Sequence, residues 1–165
     1  MKLNENDELV SVIPCTDKDN VLLATRLGKA IRFDVNDVRV FVGRGSSGVR
    51  GIKLKPNDYV VSMSLIPKLD RRYILSVTEN GFGKRTPIED YRMTNRGGQG
   101  VANIECSNRN GPVVASYVAS EDDQIMLVTN SGKLIRIRVH GGEGDSIRVA
   151  GRKTQGVRLF DVDDE

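Results

Sequence analysis

The sequence predicts an all-β fold, an array of three propeller-like units of about four strands each. Three observations carry this. The pattern R-x-x-x-G-V occurs at residues 44–49, 96–101 and 152–157, in steps of 52 and 56 residues. An independent pattern, T-x-x-G-x-x-x-R, occurs at 25–32, 78–85 and 129–136, in steps of 53 and 51. Two patterns with nearly one stride mark equivalent units, and a period of roughly 50 residues belongs to propellers and solenoids. No segment sustains the 3.6-residue apolar spacing of an amphipathic helix. The units fall at about 7–56, 57–109 and 110–165, within one array spanning residues 1–165.

Each unit opens on a short β-rich run: Leu9-Val10-Ser11-Val12-Ile13 closed by Pro14, Tyr59-Val60-Val61-Ser62-Met63, and Val113-Val114-Ala115-Ser116-Tyr117-Val118. A polar turn follows. Next comes a continuous apolar run: Val21-Leu22-Leu23-Ala24, Tyr73-Ile74-Leu75-Ser76-Val77 and Ile125-Met126-Leu127-Val128. Such runs suit strands buried on both faces. Thr-x-x-Gly then predicts a tight hairpin, with Gly28, Gly81 and Gly132 supplying a positive φ. The returning strand alternates basic and apolar residues in Lys29-Ala30-Ile31-Arg32-Phe33 and Lys133-Leu134-Ile135-Arg136-Ile137-Arg138. In the second unit Pro87 ends that strand early. Val38-Arg39-Val40-Phe41 reads as strand or turn, Ile88-Glu89-Asp90-Tyr91-Arg92 as one helical turn, and residues 140–146, rich in Gly, as a mobile loop. The R-x-x-x-G-V loop feeds a further strand such as Val49-Arg50-Gly51-Ile52-Lys53-Leu54.

Composition bounds the function. The single histidine, His140, excludes a multi-histidine metal site, and Cys15 and Cys106 stand alone in different units, reading as reduced structural thiols. No catalytic set and no metal site is expected. No apolar run approaches the ~18 residues of a membrane helix, and residues 1–6 do not resemble a signal peptide, so a cytoplasmic protein is expected. The net charge of +3 is unevenly spread. Residues 26–55 hold eight Lys/Arg against two acids, and residues 132–158 hold seven against two. Acids gather at the unit junctions instead, as in Glu121-Asp122-Asp123. Basic charge that repeats with the structural period points to a polyanion. A short Gly-rich loop with an Arg makes a phosphate site, and without an aromatic ladder duplex is favoured over single strands, with little sequence preference. The expected DNA-binding set is Lys29, Arg32, Arg44, Lys84, Arg85, Arg96, Lys133, Arg136, Arg152 and Lys153. The competing reading pairs Arg44, Arg96 and Arg152 with the junction acids.

Three stretches resemble a known family: Thr78-Glu79-Asn80-Gly81-Phe82-Gly83-Lys84-Arg85-Thr86-Pro87, Gly48-Val49-Arg50-Gly51-Ile52-Lys53-Leu54 and Gly151-Arg152-Lys153-Thr154-Gln155-Gly156-Val157. They resemble the C-terminal domain of bacterial DNA gyrase A, over residues 7–162. The resemblance implies a β-pinwheel of six blades, of which these look like the last three. It implies a basic outer rim around which duplex DNA wraps, supporting ATP-dependent negative supercoiling by a type II topoisomerase. ATP, Mg²⁺ and the catalytic tyrosine would then belong to other parts of the parent enzyme, and gyrase B would be a partner through that parent. The Q-R-R-G-G-K-G-type box of the family's first blade is missing; Asn95-Arg96-Gly97-Gly98-Gln99-Gly100-Val101 is a degenerate relative. The resemblance leaves two alternatives, the equivalent domain of topoisomerase IV and a propeller that grips an acidic protein. Open strand edges predict dimerisation or strand exchange.

Overall fold

The computed structural model describes residues 2–141 and 146–162. Ten strands lie among these residues. The hairpin β1 (Asp19–Thr25) and β2 (Lys29–Asp34) comes first, followed by β3 (Val60–Pro67). The hairpin β4 (Tyr73–Thr78) and β5 (Phe82–Pro87) leads to β6 (Val101–Ala102) and β7 (Val113–Ala119). The last hairpin, β8 (Gln124–Val128) and β9 (Leu134–Arg138), precedes β10 (Val157–Arg158). The turns have the predicted geometry: Gly28, Gly81 and Gly132 sit at φ 79°, 76° and 85°.

The sheets are not the sequence units. One sheet runs β3-β1-β2-β6 and the other β10-β5-β4-β7, all antiparallel. Each completed blade is therefore a hairpin from one unit flanked by two strands from the next. This corrects the expectation of three self-contained four-stranded units. The third hairpin, β8–β9, forms a sheet of two strands only. The expected strands at 9–13 and 49–54 do not form, and 38–41 is not a strand either. The reason follows from the exchange: equivalent segments become strands only beside the hairpin of the preceding unit, and a lone strand has no ladder to join. Ile88–Asp90 is the predicted helical turn, a 3-10 one. Residues 142–145 of the expected mobile loop lie outside the described residues.

β1 is buried on both faces, as its run of apolar residues requires. Val21 joins Ile31, Phe33 and Ile52 on one side, while Leu22 and Ala24 join Ala30, Ile66, Ile74, Ile88 and Tyr91 on the other. The second cluster includes residues of both blades and ties them together. Leu75 and Val77 of β4 pack with Ala119, Val139 and Ile147 against the third hairpin. Each fully buried Leu or Ile contributes roughly 1.5–3 kcal/mol. Between the blades lies a small polar cluster with its partners made. Asn103 Nδ2 donates to Ser116 Oγ at 3.1 Å, Asn103 Oδ1 accepts from Tyr91 OH at 2.6 Å, and Ser62 Oγ donates to the Ser116 carbonyl at 2.8 Å. Buried hydroxyls and amides are tolerable only when paired in this way. β3 and β7 pack on each other, which leaves β6 and β10, the opposite ends of the two sheets, on the periphery.

Candidate nucleic-acid interface

The predicted cations divide into two groups. Arg32, Lys84 and Arg85 are buried and present almost no surface to a polyanion. This corrects the expectation of phosphate contacts from these three in the described structure, and the hydrogen bonds give the reason. Arg32 Nη1 donates to the carbonyls of Ile88 (3.2 Å) and Tyr91 (3.4 Å) in the next unit. Arg85 Nε donates to the Ile147 carbonyl at 2.8 Å, again one unit on, and its guanidinium lies 4.9 Å from the Tyr73 ring centroid. Lys84 Nζ donates to the carbonyls of Gly151 (2.6 Å) and Arg152 (2.9 Å) and to Thr154 Oγ1 (3.2 Å). Burial, with the Arg152 charge adding to it, pushes the Lys84 ammonium down to about 8 against a weaker opposing pull from Asp90. Burial also lowers Arg32 from its ordinary value, and Asp70 partly offsets this.

Two of the R-x-x-x-G-V arginines, Arg96 and Arg152, are half-buried and bridge consecutive units. Arg96 donates through Nη1 to the Arg50 carbonyl and through Nε to the Asp37 carbonyl. Arg152 Nη1 donates to the Ala102 carbonyl at 2.9 Å, the position one repeat after Arg50. Neither forms the expected ion pair with a junction acid among the described residues. The glycines of this loop carry a second constraint. Gly100 and Gly156 sit at φ 68° and 78°, and a Cβ there would stand 2.4 Å from the Ala30 carbonyl oxygen and 2.6 Å from that of Gly83. Only Gly lets the outer strand come this close.

Lys29 is half-buried, and Arg44, Lys133, Arg136 and Lys153 are exposed. Lys133 Nζ donates to the Asp161 carbonyl at 2.8 Å. Three shallow clefts along the outer edge share these residues. The first is lined by Lys29, Lys53 and Lys55 with Gln99 and Gly100. The second is lined by Lys29 and Lys153. The third is lined by Arg152, Lys153 and Thr154. Because adjoining clefts share Lys29 and then Lys153, the cations form one track: Lys55, Lys53, Lys29, Lys153, Arg152. Three acids border it, Asp58, Glu105 and Asp90. Asp58 is engaged elsewhere, its Oδ1 accepting from the backbone N–H groups of Leu27 (2.9 Å) and Tyr59 (3.0 Å). The sequence reading missed Lys53 and Lys55. Their signal was clustering with Arg50 in a basic segment, not repetition, since Lys53 stands where the other units have Glu105 and Asp161. Among the described residues no group of His, Cys, Asp and Glu could hold a metal ion, and no helix is long and apolar enough to cross a membrane.

Comparison with known proteins places these features in context. The family model described as "DNA gyrase C-terminal domain, beta-propeller" matches residues 1–16, 19–67, 72–114 and 123–165. The chain is similar to DNA gyrase A of Klebsiella oxytoca (44% identity, 97% of this chain, 17% of the relative) and of Lawsonia intracellularis (43%, 98% and 19%). A third relative, DNA gyrase A of Rickettsia conorii, is 38% identical over 99% of this chain and 23% of its own length. The chain thus spans about a fifth of the length of these curated relatives. Among solved structures, a DNA gyrase A C-terminal domain superposes with a TM-score of 0.83 at 31% identity, covering 99% of this chain and 53% of that one. The C-terminal domain of a DNA topoisomerase IV superposes at 0.84 and 29%, covering 96% and 48%.

Proposed function

This chain belongs to the DNA gyrase C-terminal domain family, and from that membership we propose that it binds duplex DNA along the lysine track of its outer edge. The observation that carries the proposal is the continuity of Lys55, Lys53, Lys29 and Lys153 through adjoining clefts. Flexible ammonium groups along this edge neutralise phosphates as point charges and read no base edges, so binding is largely independent of sequence. Arg44, Lys133 and Arg136 extend the accessible positive surface. The role assigned to this segment is binding and bending; strand cutting, ATP and Mg²⁺ chemistry and the meeting with gyrase B are assigned to other parts of the parent topoisomerase. Smooth bending of a 20–30 bp duplex by 40–90° costs on the order of 1–6 kcal/mol, which several phosphate contacts offset.

The test is a salt titration of binding to a labelled 30-bp duplex, read by fluorescence anisotropy. Four engaged phosphates give a slope of log affinity against log salt near −3.6, at about −0.9 per contact. Lys53→Gln with Lys153→Gln lowers that slope in magnitude by about two. A slope near zero, or one that the double variant leaves unchanged, defeats the proposal.

A further inference from the structure

The lysine track ends on the loop 151–154, and that loop is held from beneath by a buried cation. Thr86 Oγ1 donates to the Ala150 carbonyl at 2.7 Å and the Glu105 N–H to the Thr154 carbonyl at 3.0 Å, which fixes the two ends. The stretch between them rests on Lys84, which is 0% exposed. Its Nζ meets three oxygens, the Gly151 and Arg152 carbonyls and Thr154 Oγ1, one for each N–H of an ammonium. Thr154 Oγ1 in turn donates to the Gly151 carbonyl at 2.8 Å and closes the cage. The Arg152 carbonyl belongs to the planar peptide unit that continues into Lys153, so Lys84 sets the plane from which Lys153 leaves the loop.

The preceding unit supplies the contrast. Its loop 95–98 is the counterpart of 151–154, with Gly97 in place of Lys153 and Gly98 in place of Thr154, and the hairpin beneath it has Ile31 in place of Lys84. Ile31 Cδ1 lies 3.8 Å from the point a Cβ on Gly98 would occupy, so the contact there is apolar. Donor, hydroxyl acceptor and displayed cation occur together in one loop and are absent together from the other. Burying an ammonium carries a desolvation cost that Ile31 does not carry, so packing alone does not call for a lysine here.

We propose that Lys84 is a positioning residue for DNA binding: it holds the loop 151–154 so that Lys153 is presented to a phosphate already ordered. This rests on the reading of the outer edge as the DNA track. A loop that is ordered before the duplex arrives loses no conformational entropy on binding, and the whole of the Lys153 contact appears as affinity. A Lys84 that only stabilised the fold would leave the effect of Lys153 at its full size in any folded variant.

The experiment is a double-mutant cycle of Lys84→Met and Lys153→Gln in this 165-residue chain, read by anisotropy of a labelled duplex at pH 7, below the Lys84 value of about 8. At about 0.1 M salt Lys153→Gln alone lowers affinity about eightfold, the effect of one phosphate contact at a slope of about 0.9. In the Lys84→Met background the same change lowers it less than about threefold. Lys53→Gln, in a cleft that the loop 151–154 does not line, has equal effects in both backgrounds. Circular dichroism shows which variants are folded. Thr154→Val, at an exposed position, removes one oxygen of the cage and gives a second cycle should Lys84→Met fail to fold; there too the Lys153→Gln effect shrinks. Equal effects of Lys153→Gln with and without an intact cage overturn the proposal. An absent effect of Lys153→Gln in the otherwise unaltered chain also overturns it, and places the failure in the DNA track itself.

Discussion

The first blade and the third hairpin hold the same pattern in different settings. Leu22 and Met126 occupy one position of T-x-x-G-x-x-x-R units, opposite Arg32 and Arg136 respectively. Leu22 is 1% exposed and Met126 63%. Arg32 is buried on two carbonyls of the following unit, whereas Arg136 is exposed. The residues and the hairpin register are alike, so burial in this fold is conferred by the next unit. A residue's environment here is a property of its neighbour in the array, as in one-dimensional repeat systems.

The sharpest way to break the comparison is at the turn glycines. Gly81→Ala places a Cβ 2.3 Å from the Phe160 carbonyl oxygen at φ 76°, whereas Gly132→Ala at φ 85° meets nothing within 4 Å. Strain and collision together destabilise the first by about 3–5 kcal/mol, strain alone the second by about 1 kcal/mol. Urea denaturation of the two variants at low protein concentration checks the difference, and equal losses would refute the dependence on a neighbour.

The arginines come next. Arg85→Met leaves the Ile147 carbonyl without its donor and costs about 2–3 kcal/mol, while Arg136→Met changes stability by less than about 0.5 kcal/mol in the single chain. Thermal unfolding of both variants reads this.

Lys84 sharpens the comparison from inside the second blade, because the first blade has Ile31 at that position. Lys84→Met takes a donor from the Gly151 and Arg152 carbonyls, of which Gly151 keeps Thr154 Oγ1, and costs about 1–3 kcal/mol. The pH dependence carries a sign. The ammonium's folded value, about 8, lies below its ordinary 10.5. Between these values the unfolded chain binds more protons, so stability rises with pH. Tyr91 opposes this above about pH 10, its ordinary value, because burial holds its phenol protonated in the fold and stability falls as the unfolded chain ionises. Burial also raises the Cys106 thiol, which opposes the gain above about pH 9. The Lys84 contribution is therefore the difference between wild type and Lys84→Met, which grows in favour of wild type from pH 8 to 10, as denaturant midpoints at pH 7, 8, 9 and 10 will show.

The smallest effect on stability is at the track. Lys53→Gln shifts the unfolding midpoint negligibly, within about 0.5 kcal/mol, yet lowers the magnitude of the salt slope of DNA binding by about one. Arg96→Gln does the reverse in order of severity, because Arg96 holds the Asp37 and Arg50 carbonyls.

The hairpins were legible because local rules determine them. Thr-x-x-Gly demanded a positive φ, and runs such as Val21-Leu22-Leu23-Ala24 had apolar residues for both faces. The exchange of strands was not legible, since nothing local in Val101-Ala102 says that its partner is Lys29-Ala30, about 70 residues earlier. Residues 49–54 looked like a strand for the same reason, having strand chemistry without a hairpin beside them. The site was misread in an instructive direction. A search for residues that recur in every unit finds what every unit needs, and that is the means of joining units: Arg32 and Arg85, Arg96 and Arg152. Lys53 and Lys55 do not recur, and periodicity passes over them.

The exchanged topology also bears on how the chain acquires its fold. The β1–β2 hairpin can form from one local turn, but its sheet lacks an inner partner until residues 60–67 exist and an outer one until 101–102 exist. Closure over such separations is slow relative to hairpin formation. On a ribosome each unit would emerge as an open hairpin and be finished by its successor, so the array assembles in one direction with a single unfinished edge advancing along it. A stalled product of any length would carry the same sticky end, and the agent that prevents mispairing during synthesis is the next fifty or so residues of the chain itself.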